Sequence, residues 1–174
     1  FGLEGAFITK ATAQLMRDLG SIQSPQNAYL LNLGLESLHV RMPQHCKNGQ
    51  AMAEFLAGHP AVRFVRYPGL PGDEDYELAQ KYLPNGSCGV VSFGFNGGRE
   101  AAEQFMKSLK IAQIATHVAD ARTCCLHPAN ATHRQMNDAE LEACGIAPDM
   151  VRLSCGIEST EDLIADVEQA LAGL

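Results

Sequence analysis

The chain has 174 residues, 46% of them hydrophobic and 19% charged, and 13 Lys and Arg stand against 20 Asp and Glu for a net charge of -7. It is long enough to bury a core without a disulfide or metal staple, and its acidic excess leaves no basic stripe with which to displace counterions from nucleic acid or an anionic membrane. No apolar run approaches the ~20 residues of a membrane span and no charged-then-apolar leader opens the chain, so a cytoplasmic protein is expected.

The first residue is Phe1 rather than Met, which reads as a processed chain or a piece of a longer one. Residues 7 to 19 carry Phe7, Ile8, Ala11, Leu15, Met16 and Leu19 on one helical stripe, with Gly20 as the stop. Ser24 then offers a cap and Pro25 a first turn in which a missing N–H costs nothing. Helical patterning continues from there to about Ala57, and Pro43 is expected to kink or restart it. Gly34 and Gly49 each weaken a helix by about 1 kcal/mol relative to Ala, which points to close backbone contacts at both.

Gly58-His59-Pro60 ends the helical part, and residues 62 to 67 are rich in strand formers. After the turn cluster of residues 68 to 72, acidic residues open a short helix over 73 to 82. Residues 89 to 95 alternate, with Val91, Phe93 and Phe95 on one face. A helix follows whose stripe is Ala101, Ala102, Phe105, Met106 and Leu109. Two further strands are expected at 111 to 116 and 122 to 126. Asn137 and Glu140 form a capping pair for a helix stopping at Gly145, and Ser159-Thr160-Glu161-Asp162 caps the last helix, with Leu163, Ile164, Val167, Ala170 and Leu171 inward. Strands separated by helices give an α/β class with helices on one face of a small sheet.

The stretch that carries chemistry is 117 to 158. In Met150-Val151-Arg152-Leu153-Ser154-Cys155, the alternation sends Val151, Leu153 and Cys155 one way and Arg152 and Ser154 the other. A guanidinium held on a strand is suited to capturing a carboxylate through two parallel hydrogen bonds, although an isolated strand Arg is more often a surface or salt-bridge residue. Cys124, Cys125, His127 and His133 could be read as a zinc set, but adjacent strand cysteines face opposite ways and no Cys-x-x-Cys pair exists. All six cysteines read better as small buried hydrophobes than as a disulfide framework. Gly98 and its neighbours lack the Gly-Lys-Ser/Thr of a phosphate loop. His127 and His133 have the pKa range of general bases, yet read as hydrogen-bonding residues of a loop. Asp120 and Arg122 are placed to pair locally, and Glu158 to hold the Arg152 backbone or a helix start.

The motifs taken together resemble a known family. Leu15-Met16-Arg17-Asp18-Leu19-Gly20, Ser24-Pro25-Gln26-Asn27-Ala28, Gly34-Leu35-Glu36-Ser37-Leu38 with Arg41 and His45, Tyr67-Pro68-Gly69-Leu70, Leu78 to Pro84, His127 to His133 and Arg152 to Glu158 occur in the order found in the carboxyl-terminal part of the Cys/Met-metabolism pyridoxal-phosphate enzymes. The likeness is strongest to their O-acetylhomoserine sulfhydrylase branch. It implies a small C-terminal domain of the fold-type I transferases, mainly antiparallel, with helices on one face and a long connecting helix before it. Residues 1–24 would be the tail of the large cofactor domain, 25–57 the connecting helix, and 58–174 the substrate-orienting domain.

The same resemblance implies that Arg152 receives the α-carboxylate of an amino-acid substrate, and that His117, Val118 and Thr132 complete its pocket. His117 stands where many lyase relatives have a serine. None of Lys10, Lys47, Lys81, Lys107 and Lys110 sits in the Ser-x-x-Lys setting of the family's Schiff-base lysine, so no catalytic residue is expected here and the isolated chain should be inactive. The implied reaction is γ-replacement making homocysteine or methionine from O-acetylhomoserine and sulfide or methanethiol. The implied partners are an N-terminal cofactor domain and further copies in a tetramer. A cystathionine or methionine γ-lyase, or a non-catalytic binding module of the same fold, are the other readings.

Overall fold

The computed structural model describes residues 2–174; Phe1, and with it the start of the expected large-domain tail, lies outside the described residues. The chain divides into two compact units, residues 1–39 and 40–174.

The first unit is helical. Helix α1 (Ala6–Thr9) passes into a π-helical segment (Lys10–Met16) and then α2 (Arg17–Leu19), which Gly20 terminates at φ 70. The expected single helix over 7 to 19 is therefore wound partly as π. Ser24 caps α3 (Pro25–Glu36) by accepting from the Asn27 amide at 3.2 Å. No residue of these helices is buried: Phe7, Ile8, Leu19, Tyr29 and Leu31 are all exposed. A Cβ added at Gly34 would meet nothing within 4 Å.

Helix α4 (Leu38–Ala57) opens after Ser37, and Pro43 lies inside it. The restart thus falls at Ser37 rather than at the proline, whose only deleted hydrogen bond is one near the start of the helix. Gly49 behaves as expected, because a Cβ there would sit 2.5 Å from the Cys88 carbonyl.

Five strands form one sheet in the order β1-β2-β5-β4-β3: β1 (Val62–Arg66), β2 (Val90–Phe95), β3 (Gln113–Ile114), β4 (Cys124–Leu126) and β5 (Val151–Ser154). Every pairing is antiparallel except β3 with β4. The mixed α/β class with a mainly antiparallel sheet is what the sequence predicts. The third strand is far shorter than predicted and lies at the sheet edge, where one neighbour supplies all its pairing. Register places Phe93 opposite Val151, Val91 opposite Leu153, and Cys125 opposite Leu153 on the far side. One sheet face therefore carries Val91, Phe93, Phe95, Val151, Leu153, Cys155 and Cys125 into the core. Met52 and Leu56 of α4, Phe105 of α6 (Gly98–Ser108), and Leu163 and Val167 of α8 (Thr160–Leu171) meet them there. Phe93 and Phe105 pack edge to face with centroids 5.6 Å apart.

The remaining helices are short. Helix α5 (Tyr76–Tyr82) starts three residues later than predicted, because Asp73 is used in the preceding turn, where it accepts from the Tyr67 and Asp75 amides. Helix α7 (Asp138–Ala143) has the reciprocal Asn137 and Glu140 cap, and Gly145 follows at φ 75. Asp166 of α8 is 4% exposed and accepts from the consecutive amides of Lys110, Ile111 and Ala112 at 2.8, 2.9 and 3.0 Å. It ties the last helix to the segment that leads into the sheet edge.

Removing that carboxylate orphans three amides at once; the Ala112 amide is buried and costs about 1–3 kcal/mol unpaired, while the partly buried Lys110 and Ile111 amides recover much of theirs from water. Asp166→Ala should therefore lower unfolding free energy by about 2–4 kcal/mol. Urea denaturation with an unchanged m-value would check it.

Candidate functional site

The alternation of β5 puts Arg152 on the face of the sheet away from the core, opposite Ser92 of β2 and Leu126 of β4. Its Nη2 donates to the Thr116 carbonyl at 2.9 Å, which brings the residue next to His117. Its Nε is buried and has no hydrogen-bond partner. Arg63, Arg66, Arg99 and Arg122 all pair with carboxylates, whereas no carboxylate pairs with Arg152 among the described residues. A buried guanidinium N–H without a partner costs about 1–3 kcal/mol, more for a charged group.

The loop beside Arg152 is built by local bonds. Asp120 accepts from the Arg122 amide at 3.0 Å and from its guanidinium at 3.3 Å, and lies 3.3 Å from His117 Nδ1. His117 is exposed and turned onto this carboxylate, so its side chain buttresses the loop. Ala119 is the single described non-glycine residue with positive φ, at 57, and its amide donates to Ser154 Oγ at 3.2 Å. A non-glycine residue in that region costs about 1 kcal/mol or more, so the β5 hydroxyl helps to hold a strained turn against the sheet. Val118, between them, is exposed.

Thr132 lies on the exposed turn after the 3-10 segment Pro128–Asn130, and its hydroxyl is 2.9 Å from His133 Nδ1. No hydrogen bond among the described residues links it to Arg152, His117 or Val118. His127 is buried and donates through Nε2 to the Pro148 carbonyl at 2.9 Å. Glu158 does not touch Arg152. Its carboxylate instead accepts from the Thr123 amide at 2.6 Å and the Thr123 hydroxyl at 2.8 Å, and thereby fixes the start of β4. The Thr116 carbonyl and the Ser154 hydroxyl, which hold the site together, have no signature in the sequence, since neither a backbone carbonyl nor a strand serine carries a local signal. Burial pushes the Cys155 thiol up to about 12 and the Cys125 thiol higher still, so neither is a ready thiolate. All six cysteines are free, and among the described residues no group of three His, Cys, Asp or Glu side chains is placed to hold a metal.

The model of the Cys/Met-metabolism PLP-dependent enzymes matches residues 4–172. The chain belongs to that family. It is 40% identical to an O-acetyl-L-homoserine sulfhydrylase of Leptospira meyeri over 174 residues, 99% of this chain and 39% of that protein. It is also 44% identical to an L-methionine gamma-lyase of Treponema denticola over 153 residues, 87% of this chain and 38% of that one. A Campylobacter jejuni crystal structure carrying N′-pyridoxyl-lysine-5′-monophosphate is 36% identical, with a TM-score of 0.87 over 96% of this chain and 40% of that one. The chain thus spans about two fifths of the length of these relatives.

The family depends on pyridoxal phosphate, and the residues described here do not fit its covalent attachment. Lys10, Lys47, Lys81, Lys107 and Lys110 are all exposed, with none enclosed beside an acidic partner. The site does fit an anion at Arg152.

The Arg122 guanidinium, with its amide and His117, holds the Asp120 carboxyl down at about 2. A depressed folded-state value means that the clamp contributes above the ordinary carboxylate value of about 3.9 and is lost as pH falls through about 2. The side-chain carboxyl 13C signal of Asp120 should titrate near that lower value, and Arg122→Ala should return it toward the ordinary one.

Proposed function

We propose that this chain is the substrate-orienting, carboxyl-terminal portion of an O-acetylhomoserine sulfhydrylase. Arg152 grips the α-carboxylate of the amino acid, and the backbone of His117 and Val118 with Thr132 closes the pocket. The observation that carries this is the Arg152 guanidinium, held on a central strand, bonded to the Thr116 carbonyl and paired with no acid among the described residues. Fixing the carboxylate at one end sets the orientation of the bonds at Cα, so the selection of which bond reacts begins with this residue. The whole enzyme would make homocysteine or methionine from O-acetylhomoserine and sulfide or methanethiol, in the cytoplasm, as a tetramer in which an N-terminal domain supplies the Schiff-base lysine. The exposed Phe7, Ile8, Leu19, Tyr29 and Leu31 in the first unit support such a covering partner. Residues 1–24 are assigned to the tail of that domain, 25–57 to the connecting helices and 58–174 to the substrate domain.

A second reading is a methionine γ-lyase, favoured by the 44% identity to the Treponema denticola enzyme. Formation of homocysteine from O-acetylhomoserine and sulfide, against breakdown of methionine without sulfide, separates the two.

In the full-length enzyme, Arg152→Ala should raise KM for the amino acid roughly 10- to 100-fold, the loss of one or two charge-assisted hydrogen bonds, and leave cofactor retention unchanged. An equal fall in both, or no change in either, would remove Arg152 from the carboxylate site. The chain alone, mixed with equimolar pyridoxal phosphate and reduced with borohydride, should show only low labelling scattered over its five exposed lysines by mass spectrometry, with no single lysine modified stoichiometrically, and no turnover.

A further inference from the structure

Three asparagines of this chain stand directly before a glycine: Asn48-Gly49, Asn85-Gly86 and Asn96-Gly97. Such a pair has a chemistry of its own. The glycine amide nitrogen attacks the asparagine Cγ, ammonia leaves, and a five-membered imide closes. Water then opens the imide to aspartate, or to isoaspartate, in which the main chain runs through the β-carboxyl. A glycine favours the attack because no Cβ hinders the approach and its backbone turns freely.

The fold treats the three pairs differently. Asn48 is 1% exposed and sits inside α4, and its carboxamide is fully engaged. It donates to the Gly156 and Glu158 carbonyls and accepts from Gln44 and Thr160. Asn96 donates through Nδ2 to the Pro60 carbonyl at 2.7 Å, and turning its backbone toward Gly97 would also displace the start of α6 at Gly98. Asn85 lies in a turn where residues 81–86 are all exposed, and among the described residues no hydrogen bond holds its carboxamide. One restraint opposes the attack there, the 3.2 Å bond from the Gly86 amide to the Leu83 carbonyl. A single exposed bond of that kind slows a reaction that must break it by no more than about tenfold.

The glycine at 86 is itself imposed by the packing. Its φ is 125, and an added Cβ would stand 2.9 Å from Cys46 Cβ and 3.0 Å from its Sγ. The close approach of this turn to α4 therefore requires the residue that makes Asn85 labile.

We propose that Asn85 is a modification site of this protein, converted through the cyclic imide to aspartate and isoaspartate, while the fold protects Asn48 and Asn96. Water is the only co-reactant. The product places a new negative charge in a cleft of about 350 Å³ that Asn85 lines with Cys46, Lys47, Gln50 and Tyr67. As isoaspartate it also lengthens the main chain by one methylene just ahead of Cys88 and Gly89. Their carbonyls accept from the Tyr67 hydroxyl at 2.9 Å and the Cys155 amide at 2.8 Å, and so tie down the entry to β2.

The test is incubation of the folded chain in mildly alkaline buffer, with tandem mass spectrometry locating the acid and isoaspartyl products. Conversion at Asn85 is expected to run at least about tenfold faster than at Asn96, where two restraints stand against one, with none at Asn48 over the same period. In concentrated urea the three sites should react at similar rates, because the protection belongs to the fold. Asn85→Gln, whose longer side chain would have to close a six-membered ring, should remove the acidic species seen on ion exchange and leave the amide spectrum unchanged. Equal rates at the three sites in the folded chain would overturn the proposal. So would an Asn85 that reacts only in urea, or an acidic species that persists in Asn85→Gln. None of these readouts depends on turnover or on Arg152.

Discussion

A strand sends alternate side chains to opposite faces, and the site on this molecule is a consequence of that constraint acting on β5. Val151 and Leu153 are taken into the core between Val91 and Phe93 on one side and Cys125 on the other. Arg152 and Ser154 have no choice but to face the other way. Slipping the register by one residue would bury the guanidinium among phenylalanines, so the hydrophobic core fixes the position of the cation. The residues after β5 are pinned in turn by α4. Asn48, 1% exposed, donates to the Gly156 and Glu158 carbonyls and accepts from Thr160 at 2.6 Å, and its neighbour His45 bonds Cys155. Glu158 and Thr123 close the same corner from β4. A side chain on a strand is held precisely only when its supports are, and here the supports come from three separate elements.

The charges follow the same logic. Asp149 receives Arg63 at 2.6 Å and the Phe95 amide at 2.8 Å, and so serves the β1 edge. Asp120 receives Arg122 and so shapes the loop beside the site. These acids are spent on structure. Arg152 pairs with no carboxylate among the described residues, which is the electrostatic condition for accepting an anion from outside. Cys125 and Cys155, too, are spent on structure: they fill core volume as neutral thiols.

Much of this was legible in residue order. The caps at Ser24, Asn137 and Ser159, the alternation of β2 and β5 and the apolar stripes of α6 and α8 are local patterns, and each element formed where its pattern stands. Local pattern failed where a distant partner decided. The strand expected over 111 to 116 shrank to Gln113–Ile114, because only β4 was there to pair with it. Pro43 was absorbed inside α4. Gly34 and Gly49 look alike in sequence, yet an added Cβ would meet nothing within 4 Å at Gly34 and the Cys88 carbonyl at Gly49. Glu158 turned to Thr123 rather than to Arg152.

The amino-acid order alone determined the α/β class, the family likeness and the outward position of Arg152, because periodicity and motif spacing are properties of neighbouring residues. Only the folded chain decided that Arg152 pairs with no acid among the described residues and that the Thr116 carbonyl and Ser154 hydroxyl frame it. Each of these depends on which groups meet across dozens of residues of separation, and hydrogen-bond satisfaction is a property of the assembled packing that no local stretch encodes.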